Sequence, residues 1–214
     1  MLLVDTPPEL RLQLLEAGID RVDAVFITHL HADHIHGIDD LRVFSLRAKS
    51  PVPVLVAREH ADELRARFAY IFDESIQPDP ATAAPEIELR TFEAGDDLDV
   101  AGFRLRTLAF PHGRVRSFGF RAGRLGVIVD GKEIPQPARE VLDGVNVLVI
   151  NALWWGDPHP SHFNVEEALA AARSVGAQST YLTHLTHRLD YNELLASLPD
   201  TVVPAFDGLV VDID

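Results

Sequence analysis

The sequence predicts one domain of mixed α and β structure, and three observations carry that prediction. Its 214 residues, 47% of them hydrophobic, suffice for one substantial core of ordinary composition. Apolar runs of strand length, at residues 24–27, 52–57 and 145–151, are interspersed with segments of helical pattern. Between them, residues 86–130 hold closely spaced short strands separated by Gly-containing turns. Two strand-rich halves are expected, about 1–115 and 116–214.

Taken in order, residues 2–5 read as a strand, and Thr6-Pro7-Pro8 opens a helix through residue 15 that stops near Gly18. Residues 24–27 form an apolar, buried strand. The acids Asp39 and Asp40 after Gly37, with apolar Ile38, Leu41 and Phe44, mark a helix start. Pro51 introduces a strand over 52–57, and a helix covers 59–72, with His60 placed on its surface. Residues 77–85, rich in Pro and Ala, are expected to form a loop over a site mouth. Strands follow at 86–92, 98–100, 103–110, 117–121 and 125–130. In the third of these, Phe103 and Leu105 alternate with Arg104 and Arg106, the period of a half-buried strand. After the strand at 145–151, Asn164 caps a helix over 165–175, with Glu166 and Glu167 favourable in its first turn. A strand at 180–183, a helix at 191–198, and a hairpin of residues 202–205 and 209–213 around Asp207-Gly208 complete the chain.

Bulk properties narrow the function. The formal net charge is −14 and the arginines are dispersed, so no basic stripe of the kind that grips a nucleic acid is present. A small anionic substrate is favoured over tRNA or DNA. No apolar run reaches membrane-spanning length and no signal-type leader precedes the first strand, so a cytoplasmic enzyme is expected. With no cysteine, metal ligands must come from histidine and carboxylate.

One stretch concentrates such ligands. Residues 25–42 read VFITHLHADHIHGIDDLR, placing His29, His31, Asp33 and His34 directly after a strand. In extended backbone, residues two apart point the same way, so His29 and His31 can share one ion. Asp33 and His34 diverge and can address a second. Mixed imidazole and carboxylate ligation suits zinc, manganese or iron, whereas a purely oxygen site would suit magnesium or calcium.

This motif resembles the first metal motif of the metallo-β-lactamase-fold hydrolases. Its HADHIHGIDDLR continuation is similar to the branch holding phosphoribosyl 1,2-cyclic phosphate phosphodiesterase, with the tRNA-processing RNase Z as a neighbouring branch. The resemblance implies an α+β fold of the metallo-β-lactamase type, an αββα sandwich with metals at one edge. The family's first N-terminal strand or strands and a Gly-rich stretch are missing from the pattern. Either the chain starts late, or it has an exposed sheet edge that calls for a partner, such as a second copy in a homodimer.

The same resemblance assigns the remaining site residues. Asp5 is similar to the family's early structural Asp. His112, in Pro111-His112-Gly113, resembles the third ligand to the first ion, alongside His29 and His31. Asp130, in VIVDGKEIP, resembles the bridging carboxylate. His184, in YLTHLTHRLDY, resembles the last ligand to the second ion, alongside Asp33 and His34. His187 is the alternative there, or a substrate contact. His162, ahead of the helix at 165, resembles the family's non-ligand His that meets phosphate or protonates a leaving group, and His159 is the weaker candidate beside it. The implied reaction is hydrolysis of a small, cyclic ribosyl phosphate diester by hydroxide shared between two divalent ions, zinc or manganese, with Asp33 orienting it. The alternatives are an RNase Z-like endonuclease and a non-catalytic, cofactor-handling relative. Fold alone does not choose among them.

Overall fold

The computed structural model describes residues 1–76 and 84–213. Most of the loop expected at 77–85 thus lies outside the described residues. The contacts divide the chain into two units: residues 1–93 with 100–102, and residues 94–99 with 103–214. The division falls earlier than residue 115, since a cut there would split a long antiparallel ribbon.

The first unit is built on a parallel sheet of order β1-β2-β3-β4, from β1 (Leu2–Val4), β2 (Ala24–Phe26), β3 (Val52–Ala57) and β4 (Ile87–Phe92). Parallel neighbours need crossovers, and helices supply them. These are α1 (Leu10–Glu16), α2 (Ala32–Ile35), α3 (Arg42–Ala48), α4 (Arg58–Arg67) and α5 (Ala69–Phe72), with a 3₁₀ turn at Ile38–Leu41. The core of this unit gathers Leu10, Val25, Ile27, Ile38, Val54 and Leu64. The single helix expected at 59–72 is two, broken at Phe68. His60 is buried at 7% exposure, not on the surface, because α4 turns His60, Ala61 and Leu64 inward together.

The second sheet runs β11-β10-β9-β8-β7-β6-β5. Its strands are β5 (Asp97–Val100), β6 (Phe103–His112), β7 (Val115–Ala122), β8 (Leu125–Ile128), β9 (Val147–Asn151), β10 (Ser179–Thr183) and β11 (Val202–Pro204). β6 and β7 form the ribbon, paired from Leu105↔Ala122 to His112↔Val115. β8 through β11 are parallel. Helices α6 (Gln136–Leu142), α7 (Val165–Ser174) and α8 (Tyr191–Ser197) supply the crossovers and cover one face. The helices pack closely at Gly126: a Cβ there would lie 2.7 Å from a Leu142 methyl and 3.2 Å from a Leu148 methyl, and those side chains would have to shift.

Two sequence expectations change here. The terminal hairpin does not form: β11 pairs parallel to β10, and residues 209–213 are not in a strand, with Val210 84% exposed. Helix α6 was not foreseen. Asn164 does cap α7, in a full capping box: its side chain accepts from the Glu167 N–H, and Glu167 accepts from the Asn164 N–H.

Candidate metal centre

The ligand motif of the first unit begins where β2 ends. Thr28 and His29 are fully buried, and the chain then turns into the one-turn helix α2, which carries Asp33 and His34. His31 is the extended residue before that helix. The His29 Nε2 and His31 Nδ1 atoms lie 2.9 Å apart, and His34 Nε2 lies 3.4 Å from Asp33 Oδ2. Two nitrogens bound to one zinc at ~2.0–2.1 Å in tetrahedral geometry stand roughly 3.3 Å apart, so the histidine pair is somewhat closer than co-ligands and would open slightly to share an ion.

Asp5 supports this loop from β1. Its Oδ1 accepts from the Thr28 N–H at 2.7 Å, and its Oδ2 accepts from the Thr28 hydroxyl at 2.8 Å and meets His34 Nδ1 at 2.7 Å. Burial pushes the Asp5 carboxyl above its ordinary range, while His34 and the Thr28 donors oppose the shift. Donation from His34 Nδ1 leaves Nε2 as the ligand atom, the usual carboxylate–histidine arrangement behind a metal. Arg67 of α4 donates to the Leu30 carbonyl and so holds the loop between the first two histidines. At its far end, Gly37 donates to the Thr6 carbonyl at 2.8 Å.

In the second unit, Asp130 is the hub. It lies just past β8 and is 1% exposed. His112 Nε2 and His162 Nε2 approach its Oδ2 at 3.5 and 3.1 Å, and His184 Nε2 approaches its Oδ1 at 3.4 Å. One carboxylate therefore presents its two oxygens to different imidazoles. Ligand-type atoms of Asp130, His162 and His184 all fall within 4.8 Å of one another. The backbone around the hub is pinned by the Ser117 hydroxyl, which donates to the Asp130 carbonyl. His112 is the last residue of β6 rather than a loop residue. His184 follows β10 directly, in the left-handed region at φ 58°.

Ser161, which sequence reasoning passed over, organises this half. Its carbonyl lies 2.9 Å from His112 Nδ1, so His112 donates there and keeps Nε2 for the hub. Its N–H donates to His159 Nδ1 at 3.3 Å, which makes that nitrogen an acceptor. His162 Nδ1 lies 3.1 Å from the same atom and 3.0 Å from the Ser161 hydroxyl. Burial, with positive charge at His162, Lys132 and His184, holds His159 below the ordinary histidine range, in keeping with a neutral acceptor. The only sequence signal for Ser161 was its place between two candidate histidines. Exposed His187 lies three residues past His184.

The comparisons with known proteins give the family. Residues 1–185 match the β-lactamase superfamily domain, and the chain belongs to that superfamily. Its fold is the metallo-β-lactamase fold. The crystal structure of a diphosphatase from the PhnP family is similar at a TM-score of 0.86 and 31% identity, over 97% of this chain and 77% of that one. All 214 residues align at 33% identity with an octanoyltransferase of Porphyromonas gingivalis, and span 42% of that protein's length. Ribonuclease Z of Myxococcus xanthus is 25% identical over 90% of this chain and 81% of its own. Among the described residues, no helix is long and apolar enough to cross a membrane.

Proposed function

We propose that the chain is a dinuclear phosphodiesterase acting on a small, cyclic ribosyl phosphate diester. The observation that carries the reading is the Asp130 carboxylate, whose two oxygens are turned to different histidines. Similarity to the PhnP-family diphosphatase supports the phosphate chemistry, and the net charge of −14 weighs against a polynucleotide.

His29, His31 and His112 would hold one ion, Asp33, His34 and His184 the other, and Asp130 both. Bound there, two zinc or manganese ions would supply a water of lowered pKa and neutralise charge on the phosphate. The chain's own residues supply the rest. Asp5 and Ser161 fix the tautomers of His34 and His112. Asp33, largely exposed on α2, is placed to orient the attacking water. His162, whose Nε2 lies 3.1 Å from Asp130 Oδ2, would act as the general acid toward the leaving ester oxygen when the ring opens. His159 accepts behind it and steadies the ring.

A second reading rests on one observation, the alignment of this whole chain with 42% of the octanoyltransferase. In that reading the same centre serves octanoyl transfer and cleaves an acyl thioester. A panel of phosphoribosyl 1,2-cyclic phosphate, bis(p-nitrophenyl) phosphate, a tRNA precursor and an octanoyl thioester, each with added Mn²⁺ or Zn²⁺, separates these readings. The proposal expects turnover of the two phosphodiesters with the cyclic one preferred. Turnover of the thioester or the tRNA precursor alone would overturn it.

A further inference from the structure

On the second unit, one fully buried amide lies close to the Asp130 hub without a hydrogen-bond partner among the described residues. It belongs to Asn151, the last residue of β9, which is 0% exposed. Both its Oδ1 and its Nδ2 are left in this way. Such a group costs stability, because water satisfies both atoms in the unfolded chain. The rest of the strand, Val147 to Ile150, is aliphatic, so nothing local calls for an amide at its end. A polar group that the fold would be more stable without is the mark of a residue retained for function.

The topology sets Asn151 among the supports of the hub. β9 runs between β8, which leads to Asp130, and β10, which leads to His184. Asn151 is in register with Thr183, the residue before His184, and Ile150 is in register with Ile128, two before Asp130. The Ala152 N–H donates to the Thr183 carbonyl at 2.8 Å. One residue on, Leu153 donates to the Phe163 carbonyl at 3.0 Å, and Phe163 donates to the Gly131 carbonyl at 3.0 Å. Residues 151–153 are thus tied to the neighbours of Asp130, His162 and His184 alike.

The chemistry of the position suits a metal centre. Leu148 and Ile150 join the core under α6 and α7, so alternation turns Asn151 to the opposite face of the sheet, which it shares with Thr183. An amide there offers donor hydrogens and an acceptor oxygen together. Groups that hold an ion are commonly braced from behind by hydrogen-bonding partners, as Asp5 braces His34 and the Ser161 carbonyl braces His112. At Asp130 the Ser117 hydroxyl holds the backbone carbonyl. Asn151, on the adjacent strand, brings an amide to the same end of the sheet.

We infer that Asn151 is a positioning residue of the metal centre, whose amide engages the coordination shell around Asp130 when the ions are bound. It acts through the hub and does not touch the reacting ester. The inference rests on metal binding at the proposed centre and is independent of which substrate is cleaved there. It makes Asn151 a residue that the fold bears at a cost in stability and the loaded centre requires.

Asn151→Leu tests this, since Leu keeps the branch at Cγ and replaces both polar atoms with methyl groups. Two properties are measured: the thermal midpoint of the metal-free protein, and the affinity for Zn²⁺ and Mn²⁺ by competition with a chelator. They are expected to move in opposite directions. The midpoint should hold or rise, by up to about 2–4 °C, as the buried polar cost is removed. Metal binding should weaken about tenfold, the usual loss when a group behind the ligands is removed. A merely structural residue would move both downward together, so that result, or wild-type metal affinity, would overturn the inference. Should Leu prevent folding, Asn151→Ala decides on affinity alone: a tenfold loss supports the role and equal affinity overturns it. Metal bound by the wild type and equally by the variants removes Asn151 only, whereas a wild type that binds none removes the dinuclear reading with it.

Discussion

Asp5 and His34, 29 residues apart in the chain, meet at 2.7 Å behind the ligand motif. Asp5 sits in the left-handed region at φ 61°, buried, with both carboxylate oxygens engaged. A buried carboxylate is costly to desolvate, so its presence is explained by what it orients: the Nδ1–H of His34 and the backbone and hydroxyl of Thr28.

Asp5→Asn tests that role. Asn tolerates positive φ, so backbone strain stays small while the charge is lost. The variant should fold and should bind metal roughly 10–100-fold more weakly, as measured by competition with a chelator. Wild-type affinity would make Asp5 a purely structural residue.

Asp130→Ala and His162→Ala should separate holding metal from using it. Without Asp130 the hub of three histidines is gone, and metal and activity should disappear together. Without His162 metal content should stay at the wild-type level while kcat falls by about 10²–10⁴, the usual contribution of a general acid. Normal turnover in His162→Ala would remove it from the mechanism.

Gly37 shows how tightly the loop is packed. A Cβ there would lie 2.1 Å from the Pro7 carbonyl oxygen, although its φ of −95° suits any residue. Gly37→Ala should therefore destabilise the protein by about 1–3 kcal/mol, read by denaturant melts, and should weaken metal binding by moving the motif. An unchanged midpoint would mean that the Pro7 segment yields freely.

The capping box of α7 gives a local stability test. Asn164→Ala should cost about 1 kcal/mol, and somewhat more here because Asn164 Nδ2 also donates to the Gly156 carbonyl at 2.6 Å. The loss should appear in thermal melts of the metal-free protein, where ligand binding does not mask it.

Much of this was legible because the decisive residues are local. His29, His31, Asp33 and His34 lie within six positions, after an apolar strand that period and length identify. Asn164 as cap was visible for the same reason. What escaped depends on distance. Ser161 acts through its carbonyl and N–H, which carry no residue-specific signal. Helix α6 was hidden by two prolines, though Pro near a first turn and Gly144 beyond the end are ordinary bounds of a helix. The terminal hairpin failed because Asp207-Gly208 gives a strong turn signal, whereas residues 209–213 do not return as a strand and leave Val210 in solvent. His60 was misplaced because charged neighbours in α4 mask the inward face that Ala61 and Leu64 define.

The most direct test of the central claim is metal stoichiometry, measured by elemental analysis after loading with Mn²⁺ or Zn²⁺ and removal of excess, with phosphoribosyl 1,2-cyclic phosphate turnover followed on the same samples. Two ions per chain are expected, with turnover that disappears on chelation and returns when metal is restored. One ion or none, or turnover that survives complete chelation, would contradict it.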